Sequence, residues 1–154
     1  MNKKGDDFME ILNRVARHNY FIVEELECGI ELTGTEVKSI REGKCQIRDS
    51  YAVIKKGQLY LLNMFVAPYK EGNIFNHQET RTRRLLAHKK EILKLNDKVK
   101  LQGYTLIPLK VYFNDRNRAK VLIGICKGKN VVDKREAEKE RSIKREIDKA
   151  TKNR

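Results

Sequence analysis

Apolar and polar residues alternate along much of the chain, a pattern typical of half-buried β-strands. The segments concerned are rich in β-branched and aromatic residues, which favour strands. Short polar stretches at 55–58 and 114–118 join neighbouring segments, so antiparallel hairpins are expected. Six strands are predicted, over residues 20–27, 30–33, 51–54, 59–66, 105–113 and 120–126. The fold class indicated is mainly β, with the six antiparallel strands closing into a small barrel.

A short helix is predicted immediately after the second strand. Residues 33–36, with the sequence TGTE, form a capping box in which Thr33 and Glu36 would satisfy each other's backbone N–H groups. Val37 and Ile40 give this helix one apolar face, and Gly43 can adopt the left-handed conformation that ends a helix.

Two further helices are predicted from apolar residues at helical spacing. Phe8, Ile11, Leu12 and Val15 indicate a short N-terminal helix that follows a mobile, polar stretch at residues 1–7. Residues 91–99 predict a helix that would plug or flank the barrel, with Ile92, Leu95 and Val99 facing it.

Composition and charge restrict the class of partner. The chain has 154 residues, enough for one domain with an appendage, and a formal net charge of +13 with a pI near 9.7. Such a charge favours a polyanionic partner. No apolar run of membrane-spanning length and no signal-peptide pattern is found, so a cytosolic protein is expected.

Three cysteines, an odd number without C-x-x-C spacing, suggest neither a disulfide framework nor a zinc site. The three histidines are scattered, and no nucleophile, phosphate-loop or metalloprotease motif occurs. We therefore expect no metal, no cofactor and no enzymatic activity.

The composition changes after Gly128. Residues 127–154 contain eleven Lys and Arg against six Asp and Glu, a net charge of +5, with Val131, Val132, Ile143 and Ile147 as the sizeable apolar side chains. Such a segment cannot bury enough surface to fold by itself. We expect a domain at 1–128 and a basic tail at 129–154 that is disordered in the free protein and helical only against a partner.

Several ordered motifs carry a resemblance to one family. They are residues 13–22 (NRVARHNYFI), 27–44 (ECGIELTGTEVKSIREGK), 49–52 (DSYA), 80–86 (TRTRRLL), 103–109 (GYTLIPL), 127–129 (KGK) and 133–135 (DKR). In order and spacing they resemble the signature of the SmpB family, the bacterial partners of transfer-messenger RNA (tmRNA). The resemblance extends over residues 11–136, nearly the whole chain.

The resemblance implies a barrel of the oligonucleotide-binding type. It also implies an RNA-binding adaptor that holds the tRNA-like domain of tmRNA and delivers it to stalled ribosomes for trans-translation, while the tail probes the empty mRNA channel. The implied partners are tmRNA and the ribosome, in the bacterial cytoplasm, for a protein that is monomeric when free.

A surface that docks on folded RNA needs cations, hydrogen-bonding groups and a planar group for stacking. The resemblance implies RNA contact at Asn13, Glu27 and Leu86, and phosphate-facing positions at Lys38, Arg41, Arg83 and Arg84. The segment with Arg14, Arg17, His18 and Tyr20 carries the same chemistry. Ribosome-contacting tail residues would be Lys129, Asp133, Lys134, Arg135, Lys139, Arg141, Lys144 and Arg145.

Two alternatives remain open on residue chemistry alone. A generic single-strand-binding barrel would show stacking aromatics on one sheet face and no preference for folded tRNA shape. A structural protein of the ribosome would accompany every ribosome. Both account for the basic charge, and neither accounts for the ordered motifs.

Overall fold

The strand-forming segments pair into a seven-stranded main sheet and a separate two-stranded sheet, both antiparallel, in the computed structural model, which describes residues 10–71 and 76–128. The predicted mobile N-terminus and the basic tail lie outside these residues. The strands are β1 (Ile11–Leu12), β2 (Tyr20–Ile30), β3 (Cys45–Gln46), β4 (Tyr51–Lys55), β5 (Gln58–Leu62), β6 (Phe65–Val66), β7 (Arg83–Leu86), β8 (Thr105–Phe113) and β9 (Ala119–Gly128). The helices are α1 (Ala16–Asn19), α2 (Gly34–Arg41) and α3 (Lys89–Gln102).

The main sheet closes on itself. Its strand order is β1-β8-β4-β5-β7-β2-β9, and β8 also pairs with β9. β8, β4, β5, β7, β2 and β9 therefore form a ring of six strands, while β1 lies as an extra strand beside β8. Every pairing is antiparallel. The mainly β fold with a closed antiparallel barrel is confirmed.

Two of the predicted strands have different boundaries. Residues 30–33 are not a separate strand, because β2 continues through Ile30 and the chain then leaves the sheet for α2. The predicted strand at 59–66 is divided into β5 and β6, since Asn63 between them has a positive φ of 62° that interrupts extended backbone. The sixth strand of the ring is instead β7. It was not predicted, because Arg83 and Arg84 break the apolar pattern by which strands were recognised.

The predicted N-terminal helix is wrong where the structure describes it. Ile11 and Leu12 form β1, opposite Val111 and Lys110 of β8, and the backbone N–H of Asn13 donates to Leu109 O at 2.9 Å. β4 pairs with β8 only at Leu106, so β8 still offers backbone hydrogen-bonding groups at Lys110 and Val111, and β1 pairs there. Helical structure begins at Ala16, and Phe8 lies outside the described residues.

The other two helices agree with the sequence. Thr33 Oγ1 accepts from Glu36 N at 3.3 Å and Glu36 Oε1 accepts from Thr33 N at 2.8 Å, which completes the capping box of α2. α3 ends at Gly103, whose φ of 71° fits the left-handed stop. Its Ile92 and Leu95 are buried in the main core, so α3 packs its apolar face against the barrel.

Candidate nucleic-acid interface

A cleft of about 580 Å³ lies where β2, β7 and β9 meet the start of α3. We call it the Leu86 cleft; it is lined by Leu26, Glu27, Gly29, Leu86, Ala87, His88, Glu91 and Lys120. A second cleft, of about 430 Å³, adjoins it and shares Gly29, Leu86 and Lys120 as walls. Leu86 is thus the ridge between two concave surfaces, and 43% of it is exposed.

Strand pairing brings the residues of this cleft together. Gly29 of β2 lies opposite Leu86 of β7 on one side and Lys120 of β9 on the other. A Cβ on Gly29 would lie 3.3 Å from Leu86 Cβ, closer than side chains normally pack. Glycine at this position therefore lets Leu86 lie against the β2 backbone with its far side open.

Charged, polar and apolar side chains lie together in the Leu86 cleft. The exposed Glu27 is a hydrogen-bond acceptor, and Lys120 contributes a cation to the same cleft. His88 stands at the start of α3, where its backbone N–H donates to Glu91 Oε1 at 3.1 Å. The cleft thus combines a cation, a hydrogen-bond acceptor and the planar ring of His88 beside the apolar ridge of Leu86, and these groups suit docking on folded RNA.

A buried ionic cluster fixes β7 beside α2. Glu36 receives Arg81 Nε at 2.8 Å and Arg83 Nε at 2.7 Å on one oxygen, and Arg81 Nη2 at 2.7 Å and Thr33 N at 2.8 Å on the other. Burial by itself would raise the pKa of Glu36, but the hydrogen bonds and charges of the two arginines and Thr33 N hold that pKa below its ordinary value of 4.5. Glu36 is therefore ionised at neutral pH.

The expectation that Arg83 faces phosphate is wrong in this structure. Arg83 is fully buried and also donates to Met64 O at 2.6 Å, because Arg83 and Leu85 point inward along β7. Arg84 and Leu86 point outward, as side chains alternate along a strand. Arg84 lies on the outer face, 3.7 Å from Glu31, and remains a candidate for phosphate contact.

Lys38 and Arg41 both lie over aromatic rings rather than in the Leu86 cleft. Lys38 Nζ is 5.3 Å from the centroid of the Tyr69 ring, and the Arg41 guanidinium is 4.2 Å from that of Phe113. Both side chains are exposed. Their RNA contact stays a prediction.

The candidates at residues 13–20 lie at the other end of β2. Tyr20 pairs with Gly128, whereas Glu27 pairs with Leu122; seven residues of strand separate Tyr20 and Glu27, roughly 23 Å. The structure does not bring this segment and the Leu86 cleft into one docking face.

Within that segment, burial differs between side chains. Asn13 is buried and links two segments of the chain, since its amide donates to Pro108 O at 2.9 Å and to Ile47 O at 3.3 Å. Contact of Asn13 with RNA stays a prediction. Arg14 and His18 are exposed, and Arg17 is paired with Glu25 at 3.4 Å.

Sequence reasoning missed His88, Lys120 and Arg118, which line the two clefts. Lys120 was recognised only as the start of a strand. Its proximity to Glu27 and Leu86 depends on the register of β9 against β2, which no local pattern reports.

The described residues offer little to catalysis. Burial raises the pKa of Cys28 and of Cys45 to about 12, and that of Cys126 to about 11, so these thiols stay protonated and unreactive at neutral pH. Over residues 10–71 and 76–128, no three His, Cys, Asp or Glu side chains converge as metal ligands. No helix in the same part of the chain is long and apolar enough to cross a membrane.

Comparison with known families gives the decisive observation. The family model of the SmpB protein matches residues 10–153. The chain belongs to the SmpB family. The match covers the barrel and extends through the basic tail, beyond the motifs at residues 11–136.

Relatives in this family are similar along nearly their full length. The SsrA-binding protein of Staphylococcus haemolyticus is 51% identical over 92% of this chain and 90% of its own. That of Staphylococcus epidermidis is 52% identical over 91% and 89%, and that of Staphylococcus aureus 51% over 88% and 87%.

A solved structure has the same fold. A chain from the structure described as tmRNA-SmpB on a journey to the centre of the bacterial ribosome is 50% identical, with a TM-score of 0.67. The likeness covers 78% of this chain and 84% of that one.

Proposed function

We propose that this member of the SmpB family binds the tRNA-like domain of tmRNA and delivers it to stalled ribosomes for trans-translation. The observation that carries the proposal is identity of 51–52% to SsrA-binding proteins over about nine tenths of the chain. The likeness to a chain of a tmRNA-SmpB structure supports it independently. tmRNA and the ribosome are the partners, and the bacterial cytoplasm is the location that follows.

The Leu86 cleft is the body's contact with the tRNA-like RNA in this proposal. Lys120 would lie against phosphate, and Leu86 would pack on an unstacked base. Glu27 cannot attract phosphate, but it can accept from a 2′-hydroxyl or from the amino edge of guanine. Arg84 would add a second cation on the outward face of β7.

The protein acts as an adaptor and not as an enzyme. It needs no cofactor, because its function is to bind the tRNA-like RNA and the stalled ribosome. The tail would probe the empty mRNA channel, with Asp133, Lys134 and Arg135 at its root, while the body holds the RNA.

The test is a salt titration of full-length protein with three RNAs: the tRNA-like half of tmRNA, an elongator tRNA and an unstructured strand of equal length. Preference for the tRNA-like RNA that survives at physiological salt is expected. Equal affinities that fall together as salt rises would mean that charge alone drives binding, and the proposal would fail.

A charge reversal at the cleft locates the contact. Lys120→Glu should weaken binding of the tRNA-like RNA and lower the slope of log affinity against log salt by about one unit. Lys100→Glu is the matched control, since Lys100 is exposed near the far end of α3. Equal effects of the two substitutions would exclude the Leu86 cleft as the docking site.

A further inference from the structure

A third cleft, of about 510 Å³, lies at the opposite end of β2 from the Leu86 cleft. We call it the Tyr51 cleft. Its walls include Asn19, Tyr20, Arg48, Asp49, Ser50 and Tyr51. The last three belong to the DSYA motif, which the proposed function has not used.

The wall at residues 47–50 is fixed to the barrel. Ser50 N donates to Ile47 O at 3.0 Å, which closes the turn. Asn13 Nδ2 donates to the same Ile47 oxygen and to Pro108 O of β8. Because the turn is held from both sides, the exposed side chains of Arg48 and Asp49 start from a rigid backbone.

The polar side chains of this cleft are uncommitted. Asn19, Arg48 and Asp49 make no side-chain hydrogen bond or ion pair with any residue in 10–71 and 76–128. By contrast, Lys110 of β8 is paired with Glu10 at 3.0 Å. At the floor, Asn13 Oδ1 and Ser50 Oγ are buried without a partner among these described residues.

Two aromatic rings share the cleft with these groups. Tyr20 is half-buried, and 37% of Tyr51 is exposed, so both can present ring surface to a ligand. Tyrosine rings stack on nucleobases, carboxylate and amide groups read base edges, and arginine binds phosphate. The volume lies within the range of sites that enclose a small ligand.

We propose that the Tyr51 cleft binds one unstacked nucleotide of a folded RNA. The base lies against Tyr51 and Tyr20, its edge meets Asn19 and Asp49, and its phosphate meets Arg48. Asp49 argues against a site for phosphate alone, because a carboxylate beside the arginine repels a bare anion. The proposal rests on the proposed function for the identity of the RNA, which comes either from tmRNA or from the ribosome.

Nucleoside monophosphates are the direct probe. AMP, GMP, CMP and UMP are titrated at millimolar concentration into full-length ¹⁵N-labelled protein, with inorganic phosphate as a parallel arm. We expect amide shifts concentrated at residues 19–20 and 48–51, and little response to phosphate. Shifts of equal size with phosphate, or shifts located elsewhere, would overturn the proposal.

A pair of tyrosine variants separates stacking from general effects. Tyr51→Leu keeps apolar volume but removes the ring, and should weaken nucleotide binding about tenfold. Tyr112→Leu, at a half-buried tyrosine of β8 outside the cleft, should leave it unchanged. An unchanged affinity in Tyr51→Leu with an intact spectrum would contradict the proposal.

The source of the nucleotide follows from two affinities of the Tyr51→Leu variant. Weaker binding of the tRNA-like RNA assigns the nucleotide to tmRNA, and weaker binding of ribosomes alone assigns it to ribosomal RNA. Unchanged affinity for both would overturn the proposal even though the protein still discriminates between RNAs. Conversely, if the wild-type protein binds the three RNAs equally, the proposed function is refuted. The nucleotide titration still tests whether the Tyr51 cleft binds a nucleotide.

Discussion

At the scale of single residues, Arg83 and Arg84 are adjacent in sequence and opposite in environment. Arg83 is fully buried against Glu36, whereas Arg84 is exposed beside Glu31. Removing one member of a buried ionic group leaves an uncompensated charge, while an exposed pair contributes little. The sequence RRLL suggested two equivalent cations because no strand was predicted at residues 83–86, and only in a strand do successive side chains point to opposite faces.

Substitution of each arginine by methionine tests this difference. Arg83→Met should lower the free energy of unfolding by about 3–5 kcal/mol, and Arg84→Met by less than about 1 kcal/mol. Urea denaturation measures both, and Arg84→Met serves as the control. Comparable losses would show that Arg83 is not part of a buried cluster in solution.

The same cluster should make stability depend on pH. The folded-state pKa of Glu36 lies below its ordinary value of 4.5, so its stabilising contribution is complete above that value. It is lost as pH falls through the folded-state pKa, because the unfolded state binds the proton more tightly. In urea denaturation between pH 7 and pH 3, Glu36→Gln should be less stable at pH 7 and lose less stability below about pH 4.5. Parallel curves for wild type and variant would contradict this assignment.

At the scale of helices and strands, features set by neighbouring residues could be predicted from the sequence, whereas features set by strand pairing could not. The capping box of α2 and the left-handed Gly43 that follows this helix could be predicted, because both features depend on residues a few positions apart in sequence. β7 was not legible, since its strand conformation depends on β5 and β2 on either side. The prediction of an N-terminal helix was wrong for the same reason. Its apolar residues have helical spacing, but Ile11 and Leu12 form β1 because they pair with β8.

Gly124 tests how tightly β8 and β9 pack. A Cβ there would lie 3.0 Å from Leu109 Cδ1 and 3.1 Å from Cys126 Sγ, both on buried side chains. Gly124→Ala should therefore lower the free energy of unfolding by about 1–3 kcal/mol.

Gly34→Ala is the matched control. A Cβ on Gly34 meets nothing within 4 Å, so the free energy of unfolding of the Gly34→Ala protein should be unchanged or higher. Thermal denaturation of both variants measures the difference. A stable Gly124→Ala protein would mean that Leu109 and Cys126 yield without strain.

At the scale of the whole molecule, binding and sensing should be separable. Deletion of residues 131–154 should leave affinity for the tRNA-like RNA nearly intact, because the clefts lie on the body. The same deletion should abolish rescue of stalled ribosomes in a reconstituted translation assay. Loss of both activities together would refute this division, and addition of the full-length protein to the same reaction controls for the assay.

The sequence alone determined the class of fold, the capping box of α2 and its glycine stop, the basic charge and the order of motifs that places the chain in its family. These features depend on neighbours along the chain or on sums over it. The tertiary structure decided which arginine is buried, that β7 completes the ring, and that Gly29, Leu86 and Lys120 meet in one cleft. It also separated the residue 13–20 segment from that cleft, at opposite ends of β2. Such distinctions depend on strand register and ring closure, which join residues far apart in sequence and leave no local pattern.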